Sequence, residues 1–183
     1  NATEPACQRN RHWISASLAV ANRWSSSQRL SLGEDRSVLL VNLNIRITRA
    51  GVFKLSFVLP AGLEVESLTG NVLSHWTDIE DGDDTVVTLH LKGKTEGNAQ
   101  FQINLAGAGL EKTESWQVPR VAIREATKEN GQLFIIPEQG IRVYMKDREG
   151  VSQLDPKQAG IRDRGVVAFR LLQGDWTLAF DVE

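Results

Sequence analysis

The run Asp78-Ile79-Glu80-Asp81-Gly82-Asp83-Asp84 is the densest collection of groups in the chain that could do chemistry. Carboxylates crowded onto so short a stretch repel one another, and a hard cation such as Ca²⁺ would relieve the repulsion by accepting several oxygens. The ligands this predicts are Asp78, Glu80, Asp81, Asp83 and Asp84. Their spacing is not that of an EF-hand loop, whose ligands are distributed over twelve residues around a central glycine. Asp-Gly between alternating runs is also the ordinary composition of a solvated hairpin tip, so calcium site and polar turn compete for the same residues.

Tryptophan is the second candidate. Trp13, Trp24, Trp76, Trp116 and Trp176 are many for this length, and flat aromatic faces on a β-framework stack on sugar rings. Trp76 and Trp116 fall in a predicted loop and a predicted seam, which makes them the candidate ligand-binding residues. The competing role is packing, as plugs where two sheets splay or at an edge where the indole N–H finds a partner.

Catalytic constellations are not legible. His12, His75 and His90 show no His-x-x-x-His spacing, and His90 falls on the polar face of an alternating strand. Ser25, Ser26 and Ser27 read as a polar turn, without a Gly-x-Ser-x-Gly elbow. Glu64 and Glu66 flank Val65 as an outward strand face rather than as the paired acids of a glycosidase, which must stand roughly 5–10 Å apart. Cys7 has no second cysteine to pair with and no neighbouring base to activate it. No phosphate-cradling glycine motif occurs, and no catalytic residue is predicted.

The elements that must position these groups announce themselves by alternation. Leu39, Val41, Leu43, Ile45 and Ile47 interleave with Leu40, Asn42, Asn44, Arg46 and Thr48, which is a strand with one buried face. Ala50 and Gly51 break the pattern before Phe53, Leu55, Phe57 and Leu59 resume it, and the pair reads as a hairpin closed by Pro60 and Gly62. A second hairpin is predicted from Val87, Leu89 and Leu91 to Ala99, Phe101, Ile103 and Leu105 across Gly93 and Gly97. Shorter strands are predicted at 13–20, 28–32, 63–68, 118–124, 132–136, 141–146, 166–172 and 176–182. The best helical signal is one turn at Asp155-Pro156-Lys157-Gln158-Ala159, with Asp155 as cap, Pro156 at the first position and Gly160 as stop. With no helix to cover it, each sheet must hide its apolar face on another sheet.

The bulk properties agree. Hydrophobic residues make up 41% of the 183 and charged residues 24%, a globular balance, and no apolar run approaches the roughly 18 residues of a spanning helix. A net charge of -2 gives no global pull toward nucleic acid or anionic membrane. Residues 1–11 are expected to be a disordered or tag-derived segment and 12–183 a β-sandwich domain, with a sub-boundary near 110–118. Starting on Asn1 without a charged-then-apolar leader, the chain reads as part of a longer protein.

Ala50-Gly51-Val52-Phe53-Lys54-Leu55, then Leu59-Pro60-Ala61-Gly62-Leu63-Glu64-Val65 with Gly70 and Trp76, resembles segments of large uncharacterised envelope or surface proteins of planctomycete bacteria. Val118-Pro119-Arg120-Val121, Gly131 and Gly140-Ile141-Arg142-Val143 extend the resemblance over about residues 36 to 183. It implies an extracytoplasmic β-rich architecture and transfers no site residue.

The sequence thus predicts an all-β, antiparallel β-sandwich, in one domain or two abutting lobes. Its expected role is a non-enzymatic structural or protein-interaction module of a larger exported protein, partnered by other domains of that protein or by envelope proteins. The alternatives are a carbohydrate-binding module using exposed tryptophans, with or without bound calcium, and a hydrolase with a carboxylate pair. Calcium is the one cofactor considered; neither nucleic acid nor direct membrane insertion is expected.

Overall fold

The computed structural model describes residues 21–82, 84–110, 113–124 and 129–183. The strand predicted at 13–20, Trp13, His12, Cys7 and Asp83 lie outside them. The architecture is all-β, as expected, with eleven strands among the described residues: β1 Ala21–Leu32, β2 Arg36–Leu59, β3 Leu63–Gly70, β4 Leu73–Asp81, β5 Asp84–Ala108, β6 Thr113–Gln117, β7 Glu129–Pro137, β8 Val143–Glu149, β9 Val151–Leu154, β10 Val167–Leu171 and β11 Thr177–Val182. One sheet has the order β3-β5-β2-β1-β7-β10-β9, with β4 pairing β5, and the other has the order β6-β11-β8. Pairing is antiparallel except between β1 and β7, which run parallel, so the larger sheet is mixed rather than purely antiparallel.

The two predicted hairpins are not formed. Gly51 lies inside the 24-residue β2, Gly93 and Gly97 inside the 25-residue β5, and these two long strands pair with each other from Arg36↔Ala108 to Leu59↔Thr85. Both apolar repeats were read correctly, but their breaks face one another across one ribbon. Residues 48–51 of β2 and 91–94 of β5 are the extra residues of two opposed register shifts. Gly51 adopts φ 57 there, and a Cβ on it would lie 2.8 Å from Lys94 Cγ.

This irregular stretch is a fold line. Leu59 pairs with Thr85 near the start of β5, and Leu63 pairs with Gly107 near its end. A straight strand would separate those two points of β5 by roughly 70 Å, whereas the chain from Leu59 to Leu63 can span at most about 14 Å. The ribbon therefore doubles back on itself, with the Pro60–Gly62 turn at its open end and the Asn71–Val72 link between β3 and β4 at the crease. One half, with β3, β1, β7, β10 and β9, forms a wide layer; the other half, with β4 and the sheet β6-β11-β8, covers it.

The core lies between the layers. Leu39, Val41, Leu43 and Ile45 of the wide layer and Leu55, Phe57, Val87 and Leu89 of the other share one cluster with Trp24, Phe169, Trp176 and Phe180. The Phe169 and Phe180 rings meet edge-to-face at 6.0 Å, tying the two sheets together. Each fully buried large side chain contributes roughly 1.5–3 kcal/mol.

Smaller differences follow from the same packing. Residues 118–124, predicted as a strand, are irregular apart from the bridge Phe57↔Ile123, and they bury Val118, Val121 and Ile123 in the common core. Ser25, Ser26 and Ser27 are part of β1 and not of a turn. The helical turn is as predicted: a 3-10 turn at Pro156–Ala159, with Asp155 accepting from the Lys157 N–H and Gly160 closing it at φ 78.

Candidate functional site

At the open end, the edges of β3 and β4 part to leave a groove of about 840 Å³. Trp76 forms part of its wall. In the β4–β5 register Trp76 faces Leu89 and Asp78 faces Val87, so both take the inward phase of a strand that pairs only with β5 among the described residues. The indole is half-buried against the core, whereas Asp78, closer to the strand end, is exposed. Glu64 and Glu66 of β3 with Asp35 supply further carboxylates, and Arg36 supplies a guanidinium that pairs with Glu66. The result is an aromatic plate rimmed by hydrogen-bond acceptors. Thr85 is the one hydroxyl among the lining residues, and no histidine or cysteine joins it. Such a lining offers stacking, hydrogen-bond and ionic contacts.

The other predicted residues are scattered. Trp76 and Trp116 both sit on strands rather than in a loop or seam. Trp116 is in β6 opposite Phe180, half-buried, and it does not line the groove. The acidic run begins on a strand and ends in the hairpin tip between β4 and β5, as its Asp-Gly composition suggested. Asp78 and Glu80 lie along β4, Asp81 pairs with Asp84, and Gly82 turns the chain at φ 69. Alternation hid this strand because polar residues occupy most of both its faces. Among the described residues no three of His, Cys, Asp and Glu are gathered as metal ligands. His75 and His90 face each other across β4 and β5 with rings stacked at 4.4 Å, on the outward face, and Thr77 Oγ1 lies 3.0 Å from His90 Nε2.

A buried polar cluster escaped the sequence reading. Glu129, 3% exposed, opens β7 on its inward face. Ser26 Oγ donates to Glu129 Oε1 at 3.5 Å, and Gln28 Nε2 donates to Ser26 Oγ at 3.2 Å. Burial pushes the carboxyl up to about 7; the nearby Arg120 guanidinium, Trp176 and Ser26 pull it back only in part. Trp176 Nε1 stands near this carboxyl without the distance and direction of a hydrogen bond. Among the described residues it, Glu129 Oε2 and Gln28 Oε1 are buried and unpartnered. Arg120 Nη1 is anchored instead on Gly174 O at 2.6 Å. The signal was present in the sequence: Glu129 is in phase with Gly131, Leu133 and Ile135, as Ser26 and Gln28 are with Leu30 and Leu32.

Fold and groove together define an all-β sandwich with an open cleft between β3 and β4. No family profile matches the chain, and no curated protein matches it. Solved structures do. Native yeast LTA4 hydrolase matches with a TM-score of 0.53 at 9% identity, over 88% of this chain and 29% of that one. An M1 zinc metallopeptidase from Deinococcus radiodurans matches with a TM-score of 0.48 at 9% identity, over 88% of this chain and 41% of that one. A non-cellulosomal cohesin from Archaeoglobus fulgidus matches at 0.38 and 14% identity, over 64% of this chain and 94% of that one. The chain spans less than half the length of the peptidase structures it matches. At such identities the likeness to the yeast structure is one of fold alone.

Proposed function

We propose that this chain is a non-enzymatic interaction module of a larger exported protein, and that it binds through the groove between β3 and β4. The observation that carries the reading is the groove's lining: Trp76 beside Glu64, Glu66 and Asp78, with Arg36 at the rim. An aromatic wall with a charged rim is how interaction sites combine burial with specificity. The partner is a neighbouring domain or an envelope protein that presents basic groups to the carboxylates. Among the described residues Glu129 is the carboxyl raised toward neutrality, and it lies outside the groove.

The test is to titrate the 183-residue chain against the remainder of its parent protein by calorimetry, with Asp78→Lys and Trp76→Ala beside it. Binding that both substitutions weaken supports the reading, and wild-type affinity in both variants sinks it. Carbohydrate binding at the same groove is the second reading, favoured by the half-exposed indole of Trp76. It predicts glycan-array signals that disappear in Trp76→Ala.

A further inference from the structure

The outward face of the wide layer carries an arrangement that neither the groove nor the net charge accounts for. The registers place Thr69, Gln102, Asn42, Ser27, Gln132 and Arg170 side by side on six neighbouring strands. One level along, Gln100, Asn44, Ser25 and Asn130 form a second such row, all exposed. The outward positions of β1, β7, β10 and the 36–47 and 97–108 stretches of β2 and β5 hold Arg23, Arg29, Arg46 and Arg170 besides the ion-paired Arg36. They hold no Asp or Glu.

These arginines come in two pairs. Arg23 and Arg46 are direct partners across β1 and β2, although like charges facing one another destabilise a strand pair. Among the described residues neither makes an ion pair or hydrogen bond. They border a depression of about 300 Å³ with Ser25, Asn44, Asn98 and Asn130. Arg29 and Arg170 border a second depression with Ser27, Gln132 and Asp155, whose carboxylate accepts from the Lys157 N–H that it caps. Along β1 the two pairs stand roughly 20 Å apart.

Guanidinium groups grip carboxylates bidentately, and carboxamides and hydroxyls both donate to and accept from sugar hydroxyls. Single-stranded nucleic acid would need aromatic platforms for its bases. The one aromatic at an outward position of these strands, Phe134, is 4% exposed. We infer that this face binds an acidic polysaccharide, with uronate carboxylates held at the Arg23–Arg46 and Arg29–Arg170 pairs and sugar hydroxyls on the amide rows between them. The inference is independent of the groove beside Trp76.

Affinity electrophoresis and calorimetry of the full 183-residue chain with polygalacturonate at low ionic strength test it, with neutral dextran and single-stranded DNA as comparisons. The expected result is binding to polygalacturonate alone that weakens as salt rises. It should fall by about tenfold or more in the Arg23→Gln/Arg46→Gln double variant, and likewise in Arg29→Gln/Arg170→Gln. All four side chains are exposed, and unchanged tryptophan fluorescence confirms the fold of each variant. Trp76→Ala should bind as the wild type does. The inference is overturned if polygalacturonate is not bound, if both double variants bind normally, if dextran or DNA binds as tightly, or if Trp76→Ala abolishes binding. That last result would transfer the sugar to the groove.

Discussion

Replacing Glu129 with glutamine should stabilise the protein at alkaline pH and flatten the pH dependence of its stability. The carboxyl is 3% exposed, and burial raises it from 4.5 to about 7. The folded state therefore holds its proton more tightly than the unfolded chain does. Stability from this group is fully present below pH 4.5 and is lost as pH rises through about 7. The separation of those two values, at about 1.4 kcal/mol per pH unit, amounts to about 3 kcal/mol by pH 8. Part of this is already lost at pH 5, so with a urea dependence of about 2 kcal/mol per molar the wild-type midpoint should drop by about 1.2 M between pH 5 and pH 8. Glu129→Gln keeps the shape and the acceptor for Ser26 but carries no proton to lose. Its midpoint should vary far less over the same range and exceed the wild type at pH 8. Urea titrations followed by tryptophan fluorescence measure both curves, and subtracting one from the other removes the other titrating groups. A wild-type midpoint that holds steady or rises from pH 5 to 8, or a variant that keeps the wild-type slope, refutes the reasoning.

Other outcomes follow from packing and caps. A Cβ at Gly109 would lie 1.8 Å from the Glu34 carbonyl oxygen, whereas one at Gly93 would meet nothing within 4 Å. Gly109→Ala should cost several kcal/mol or prevent folding, on the order of the largest single-site effects, while Gly93→Ala should shift the midpoint little. Leu89, fully buried at the centre of the core, should cost roughly 2–5 kcal/mol as Leu89→Ala in the same urea assay. Asp155→Ala removes the acceptor of the Lys157 N–H at 3.0 Å and should cost about 1 kcal/mol or less, since the capped turn is short and exposed. A smaller loss for Leu89→Ala than for Asp155→Ala would contradict the assignment of core and surface.

Alternation told which side of β2 and of β5 is buried. It could not tell which strand is whose neighbour. Gly51 and Gly97 look like hairpin corners in isolation because a positive-φ glycine serves a turn and a bulge equally. Only the long-range pairing of β2 with β5 distinguishes them. β4 was missed for a different reason. It sits at a sheet edge, so water covers much of both faces and Ser74, His75, Thr77, Asp78 and Glu80 carry no two-residue rhythm. The candidate site was half legible: Trp76 and Asp78 were named, while Glu64 was set aside as a solvated face because its nearness to Trp76 arises from a folded ribbon. The net charge of -2 concealed the arginine face, since a sum over residues erases where they lie.

The parallel contact of β1 with β7 joins segments about a hundred positions apart, and the doubled β2–β5 ribbon closes another wide loop. Neither partnership repays its entropy until much of the chain has gathered, so assembly should be slow, in the millisecond-to-second range of high-contact-order β-proteins. In the interval the greasy sides of β2 and β5 stand uncovered, and a nascent copy is then at its most vulnerable to clumping with its siblings.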